Sequence, residues 1–175
     1  MFVNRLLRPN IIPASKRASL RAAMSTLTPP VPIAMIGIHT EIGEPVANAL
    51  RPDWDVTRFM QTFEAAKMDL PYLLRGEAPP TAATNAVGSG DYARPVRAVL
   101  LGRGFTQQQA ETLYGLYKDV APAGAVLWVA GAETTRPAGV TGPPPGVEKI
   151  IVPLFRGLLE KWAQEGAEEG GLVLY

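Results

Sequence analysis

The sequence predicts an α/β fold of three layers, in which a mostly parallel sheet of four or five strands carries helices on both faces. Strand-like and helix-like segments alternate four times between residues 31 and 166. Three of the strand-like segments are continuous apolar runs, which is typical of strands covered on both faces. These three runs end at Gly37, Gly102 and Gly131, where the missing side chain lets a ligand approach the main chain.

The first strand–helix unit organises the rest of the chain. An apolar run at 32–37 predicts a buried strand, and residues 43–50 predict a helix with Pro45 in its first turn. Pro52 ends this helix, because a proline disfavours helical geometry at the residue before it. The second strand follows at 54–60, where tryptophan, valine, threonine and phenylalanine are concentrated.

The second and third units follow the same order. Residues 63–75 predict a helix that Pro71 kinks or divides into two short helices. A long loop at 77–95, rich in proline and glycine, leads to a third strand at 96–102. Thr106 and Gln109 then have the spacing of a capping box, which predicts a helix from Thr106 to about Asp119.

The last unit begins with a fourth buried strand at 125–131 and continues through a second long loop at 132–146. A helix is predicted over 147–165, bent at Pro153, with an apolar face formed by Ile150, Ile151, Leu154, Leu158 and Trp162. Residues 31–166 therefore form the predicted domain. The tail at 167–175 either adds an edge strand or stays loose.

Composition excludes several classes of function. The formal net charge is +1, so there is no overall field to attract nucleic acid. The chain contains no cysteine, which excludes disulfides, thiolate nucleophiles and cysteine-based metal sites. With a single histidine, His39, a histidine-rich metal site is also excluded, and no metal is predicted. No apolar run approaches the ~20 residues that a membrane-spanning helix needs.

Residues 1–30 form a basic leader, because five arginines and lysines precede the first acidic residue, Glu41. This composition is similar to that of a mitochondrial transit peptide, which would place the protein in the mitochondrial matrix. The alternatives are a disordered basic leader, or a working start at Met24 that leaves the protein in the cytoplasm.

The turn after the first strand carries a degenerate glycine motif. Gly37 and Gly43 occupy the first and last positions of G-x-x-G-x-x-G, and Thr40 stands in the middle position. In this the chain resembles the nucleotide-binding half of the short-chain dehydrogenase and NmrA-like families. The resemblance implies a Rossmann-like fold and a phosphate of the cofactor at the start of the first helix. Thr40 adds a Cβ and Glu41 adds a negative charge there, and both oppose dinucleotide binding.

Other residues at the predicted ligand edge complete the candidate set. His39 could bond a phosphate or act as an acid or base. The second strand ends without the acidic residue that holds an NAD ribose, and Arg58 could accept a 2′-phosphate, so NADP is predicted over NAD. Gly102 and Arg103 precede the third helix and form a second candidate anion site, with Gly131 following the next strand.

Tyr114 and Lys118 match the Y-x-x-x-K spacing of catalytic residues in short-chain dehydrogenases. Four residues apart on a helix, they share one face, where the lysine could lower the pKa of the tyrosine. Two hypotheses result. The first is a Rossmann-like protein that binds NADP or another small phosphorylated ligand and acts as an accessory oxidoreductase. The second is a non-enzymatic protein that acts through contacts with a protein partner or a second copy of itself.

Overall fold

The computed structural model describes residues 27–121, 124–132 and 142–175, and within them forms five strands and four helices. The strands are β1 (Val31–Ile36), β2 (Trp54–Met60), β3 (Ala98–Leu101), β4 (Leu127–Ala130) and β5 (Gly171–Leu174). The helices are α1 (Thr40–Leu50), α2 (Phe63–Leu73), α3 (Gln107–Tyr117) and α4 (Glu148–Gln164). Most of the predicted leader, residues 1–26, and residues 133–141 of the second long loop lie outside the described residues.

All five strands run parallel in the order β2-β1-β3-β4-β5. The predicted Rossmann-like α/β fold is therefore confirmed, and the tail contributes β5 as the edge strand. Strand order reverses between β1 and β3. The chain places β2 on one side of β1, and then places β3, β4 and β5 in turn on the other side. No helix in the described part of the chain is long and apolar enough to cross a membrane.

Two hydrophobic cores lie on opposite faces of the sheet. On the first face, α1 and α4 bury Val46, Leu50, Phe155, Leu159 and Trp162 against the strands. On the second face, α2 and α3 bury Ala66, Leu70, Leu73, Ala110 and Leu113. Each core takes alternate residues of the same strands, which is why β1, β3 and β4 read as uninterrupted apolar runs.

The last strand–helix–strand unit has the opposite hand from the other three. The chain moves in the same direction across the sheet from β3 to β4 and from β4 to β5. The helices that make these two connections, α3 and α4, nevertheless lie on opposite faces. Reversed crossovers are rare among parallel strands. This one places α4 beside α1, where Arg156 of α4 pairs with Asp53 at 3.5 Å.

Helix α2 runs through Pro71 without the predicted division into two helices. Proline has no N–H to donate to the carbonyl four residues earlier, which here belongs to Lys67. The hydroxyl of Tyr117 on α3 donates to that carbonyl oxygen at 2.8 Å. The carbonyl of Lys67, which receives no helical hydrogen bond from Pro71, is therefore bonded by a side chain of the neighbouring helix.

Two helix faces differ from those predicted. In α1 the helix begins at Thr40 rather than residue 43, so Pro45 lies beyond the first turn. In α4 the buried stripe is Phe155, Leu159 and Trp162, whereas Ile150 is 69% exposed. The spacing of apolar residues identified this helix. It did not show which apolar residues pack on the sheet and which, like Ile150, are exposed at the amino end of the helix.

The loop at 77–95 covers the outer edge of β2. The amides of Ser89 and Gly90 donate to main-chain oxygens of Val56 and Thr57, at 2.9 and 3.1 Å. Gly88 has a φ of +113°, and a Cβ there would lie 2.9 Å from the oxygen of Thr57. The loop therefore blocks an edge that could otherwise pair with another strand.

A buried ion pair holds the start of this loop. Arg58 on β2 and Asp69 on α2 are 6% and 0% exposed, and their side chains meet at 2.8 Å. The same guanidinium donates to the main-chain oxygens of Thr81 and Ala82, and the Thr81 hydroxyl donates to Asp69 at 2.5 Å. Strand, helix and loop are therefore joined by one network.

We expect Asp69→Ala to lower the free energy of unfolding by about 3–5 kcal/mol, because it leaves the Arg58 guanidinium buried without its counter-charge. Urea denaturation measures this loss, and faster proteolysis within 77–95 should accompany it. Glu77→Ala removes a partly exposed carboxylate that pairs with Arg75 and serves as the control. A wild-type urea midpoint in Asp69→Ala would contradict the role assigned to the network.

Candidate functional site

A cavity of about 920 Å³ opens at the carboxyl ends of β1 and β3. This is the point at which strand order reverses, and ligands of open α/β sheets bind there. The loops after the two strands form its mouth, and they contribute the main chain of Gly37 and Gly102. Helix α4 closes the side next to α1, because the reversed crossover brings it to that face.

Most side chains that line the cavity are apolar. They come from the β1–α1 turn, β2, the β3–α3 turn and the amino end of α4, and include Ile38, Ile42, Phe59, Phe105, Pro143, Pro144, Ile150, Ile151, Leu154 and Phe155. Ile38 is 46% exposed, and with Ile150 it forms an apolar rim. Large exposed aliphatic residues beside a cavity are typical of a surface that buries them against a ligand.

The histidine of the β1–α1 turn lines the cavity and is paired with an acid. His39 Nδ1 lies 2.9 Å from a carboxylate oxygen of Glu41. The pKa of Glu41 lies below its ordinary value, chiefly because the main-chain N–H of the same residue donates to the carboxylate, and secondarily because of His39. A carboxylate of the protein itself therefore occupies the start of α1, where an anionic ligand was predicted.

Arg103 lines the cavity and is held against Tyr175. One of its guanidinium nitrogens donates to the main-chain oxygen of Tyr175 at 3.0 Å, and the guanidinium lies 5.0 Å from the centre of the tyrosine ring. Burial raises the pKa of Tyr175, and Arg103 partly opposes this rise. A Cβ on Gly131 would lie 2.4 Å from Cγ of Arg103, so this glycine makes room for the arginine side chain.

Both terminal glycines of the degenerate motif pack against one aromatic ring. A Cβ on Gly43 would lie 2.8 Å from the Phe59 ring, and one on Gly37 would lie 3.0 Å from it. Close packing of helix on strand is one of the reasons for glycine in such turns. Packing against Phe59 therefore accounts for glycine at position 43 and favours it at position 37, whether or not a phosphate binds.

The turn before α3 is occupied by its own cap. The Thr106 side chain accepts from the amide of Gln109, and the Gln109 side chain accepts from the amide of Thr106. The predicted capping box is thus present, and it engages two of the helix-start amides that an anion would need. A Cβ on Gly102 would meet nothing closer than 3.6 Å, so this position has room for a side chain.

Three of the predicted site residues outside the cavity lining make other contacts instead. Arg58 is committed to Asp69 and the loop at 77–95, so its guanidinium is not presented to a 2′-phosphate. Tyr114 packs edge-on against Trp128 in the second core, at 5.8 Å between ring centres. Lys118 pairs with Asp119, and that hydrogen bond raises the pKa of the lysine. The tyrosine–lysine spacing therefore does not form a catalytic pair at the ligand edge.

The predicted set divides accordingly. Gly37, His39, Gly43, Gly102 and Arg103 line the cavity together, whereas Thr40 and Gly131 stand immediately outside its lining. Sequence reasoning missed Phe59, which forms part of the wall, and the contribution of α4. The exposed Ile150 was visible in the sequence as an apolar residue at a helix start, but the cavity residues of the β1–α1 turn, such as Ile38, lie more than 100 positions away along the chain.

The chain is similar to a curated protein, Kojic acid related protein 6 of Aspergillus oryzae, with 28% identity over 98 residues. The matched region covers 55% of this chain and 57% of the relative, so the chain spans little more than half of the relative's length. No protein-family model and no solved structure matches the chain.

We expect Gly43→Ala to lower the free energy of unfolding by about 1–2 kcal/mol. The overpacking cost against the Phe59 ring, ~1–3 kcal/mol, exceeds the gain of up to ~1 kcal/mol from replacing a helical glycine. Adding Phe59→Leu, which removes the outer ring atoms, should reduce the cost of the alanine. Urea denaturation of the two single variants and the double variant measures the coupling.

Gly102→Ala is the matched control for this cycle, because its Cβ meets only ordinary contacts. Its unfolding free energy should stay within about 0.5 kcal/mol of wild type. If Gly43→Ala costs the same with leucine as with phenylalanine at position 59, the contact does not explain the glycine.

Proposed function

We propose that this protein binds a small organic molecule with a largely apolar body in the cavity at the carboxyl ends of β1 and β3. The observation that carries the proposal is the cavity itself, about 920 Å³ in volume and placed where strand order reverses. Its volume lies in the range of pockets that enclose small ligands, ~300–1,000 Å³. The apolar lining favours burial of a ring or a short aliphatic group.

NADP, predicted from the degenerate glycine motif, is the competing ligand. In its favour, Gly37 and Gly102 present main chain to the cavity and Arg103 supplies a cation at the rim. Against it, Arg58 is committed elsewhere and the start of α1 holds the Glu41 carboxylate. We therefore favour a ligand without phosphate over NADP. We also favour ligand binding alone over an oxidoreductase activity, because Tyr114 and Lys118 do not line the cavity.

The name of the Aspergillus relative adds a compound to test. That name refers to kojic acid, and the relative matches over 98 residues. We propose kojic acid as one member of a ligand panel, together with NADPH as the dinucleotide. Neither compound is needed to test whether the cavity binds ligands, because binding of a neutral apolar dye to the cavity can be measured directly.

We expect the neutral dye Nile red to bind saturably, with a rise in fluorescence as it enters the apolar cavity. Ile150→Glu places a charge on the cavity rim at a position that is 69% exposed, so the fold should tolerate it. The variant should bind the dye at least about tenfold more weakly, since ~1.4 kcal/mol corresponds to tenfold in affinity. Fluorescence titration of purified protein measures both affinities.

Met68→Glu is the matched control, because Met68 is 53% exposed on α2, away from the cavity. Its affinity for the dye should remain within about twofold of wild type. Equal weakening in both variants, or dye binding that does not saturate, would overturn the proposal.

A further inference from the structure

We propose that Glu41 makes the cavity selective for uncharged, hydroxyl-bearing ring compounds and excludes phosphorylated ligands, with His39 as the acceptor of the ligand hydroxyl. This inference rests on the proposed function, because it concerns the ligand of the same cavity. It assigns a role to the one acid of the β1–α1 turn, which the degenerate glycine motif left unexplained.

The carboxylate of Glu41 accepts a hydrogen bond from its own main-chain N–H, which is one of the helix-start amides that a phosphate would use. Glu41 is the second residue of α1, so its carboxylate lies in the favourable field of the first helical turn. A phosphate placed at the same helix start would meet this charge at short range and would have to displace it from His39. The protein thus supplies its own anion at the position that dinucleotide-binding turns leave open.

The ion pair also fixes which atoms His39 offers to a ligand. An ionised carboxylate only accepts hydrogen bonds, so Nδ1 must carry the proton in the 2.9 Å contact with Glu41. In the neutral ring, Nε2 then carries a lone pair and accepts a hydrogen bond. His39 lines the cavity, and its partner among the described residues is Glu41. A ligand hydroxyl is the group that complements such an acceptor.

The charged side chains at the mouth of the cavity favour an uncharged ligand over a phosphorylated one. Arg103 is the only lysine or arginine among the described residues that line the cavity. It is exposed and already donates to the main chain of Tyr175. Glu41, which is paired with His39 beside the cavity, offsets the positive charge of Arg103, so little positive charge remains to balance a pyrophosphate or a 2′-phosphate.

The first test measures NADPH and Nile red binding to wild type and to Glu41→Gln, which keeps the size of the side chain and one acceptor oxygen but removes its charge. Wild type should bind the dye, and NADPH at about 1 mM, a weak-binding concentration, should not displace it. In Glu41→Gln, NADPH should displace the dye with at least about tenfold higher affinity than in wild type. Glu44→Gln, exposed on the same helix, should behave as wild type.

The second test compares naphthol with its methyl ether, which has the same ring but no hydroxyl proton. Wild type should bind naphthol about three- to tenfold more tightly, as one hydrogen bond to a side chain implies. In His39→Phe this preference should disappear, whereas binding of the methyl ether should change little. Dye displacement on the purified protein measures all four affinities.

The outcomes separate the two proposals. Failure of wild type to bind Nile red would overturn the proposed function. Dye binding together with equal NADPH affinity in wild type and Glu41→Gln would leave that function standing and overturn the role of Glu41. A preference for naphthol that survives His39→Phe would overturn the assignment of His39 as acceptor.

Discussion

The Phe59 ring lies so close to the β1–α1 turn that a Cβ at residue 43 would be 2.8 Å from it and a Cβ at residue 37 would be 3.0 Å from it. This contact packs α1 closely against β2, and Gly43 and Phe59 both line the cavity. Helix α4 packs on α1 and completes that side of the cavity. A glycine pattern that resembles a nucleotide-binding motif is thus accounted for by an aromatic side chain on the neighbouring strand.

Much of the fold could be predicted because its signals are local. Continuous apolar runs identified β1, β3 and β4, and the capping box at Thr106 located the start of α3. Of the two alternatives expected at Pro71, a kink or a division, the division did not occur, and Tyr117 satisfies the carbonyl that the proline leaves free. That compensation joins residues 50 positions apart, and no local pattern contains it.

The site was harder to predict, because its residues take their roles from partners distant in sequence. Arg58 sits near the end of a strand, as a phosphate ligand would, yet a buried aspartate on the next helix commits it to the fold. Arg103 lines the cavity as expected, but its conformation depends on Gly131 and Tyr175. Residue type and strand end therefore located Gly37, His39, Gly102 and Arg103 at the cavity, but they did not reveal that Arg58 is bound to Asp69.

The reversed hand of the β4–α4–β5 unit has a thermodynamic consequence. It sets α4 against α1, so the cavity is bounded by chain segments more than 100 residues apart. A molecule bound there would contact both segments, and it would stabilise the docking of α4 on α1 to the extent that it binds the docked arrangement more tightly. Occupancy of the cavity and the docking of α4 on α1 are therefore linked equilibria.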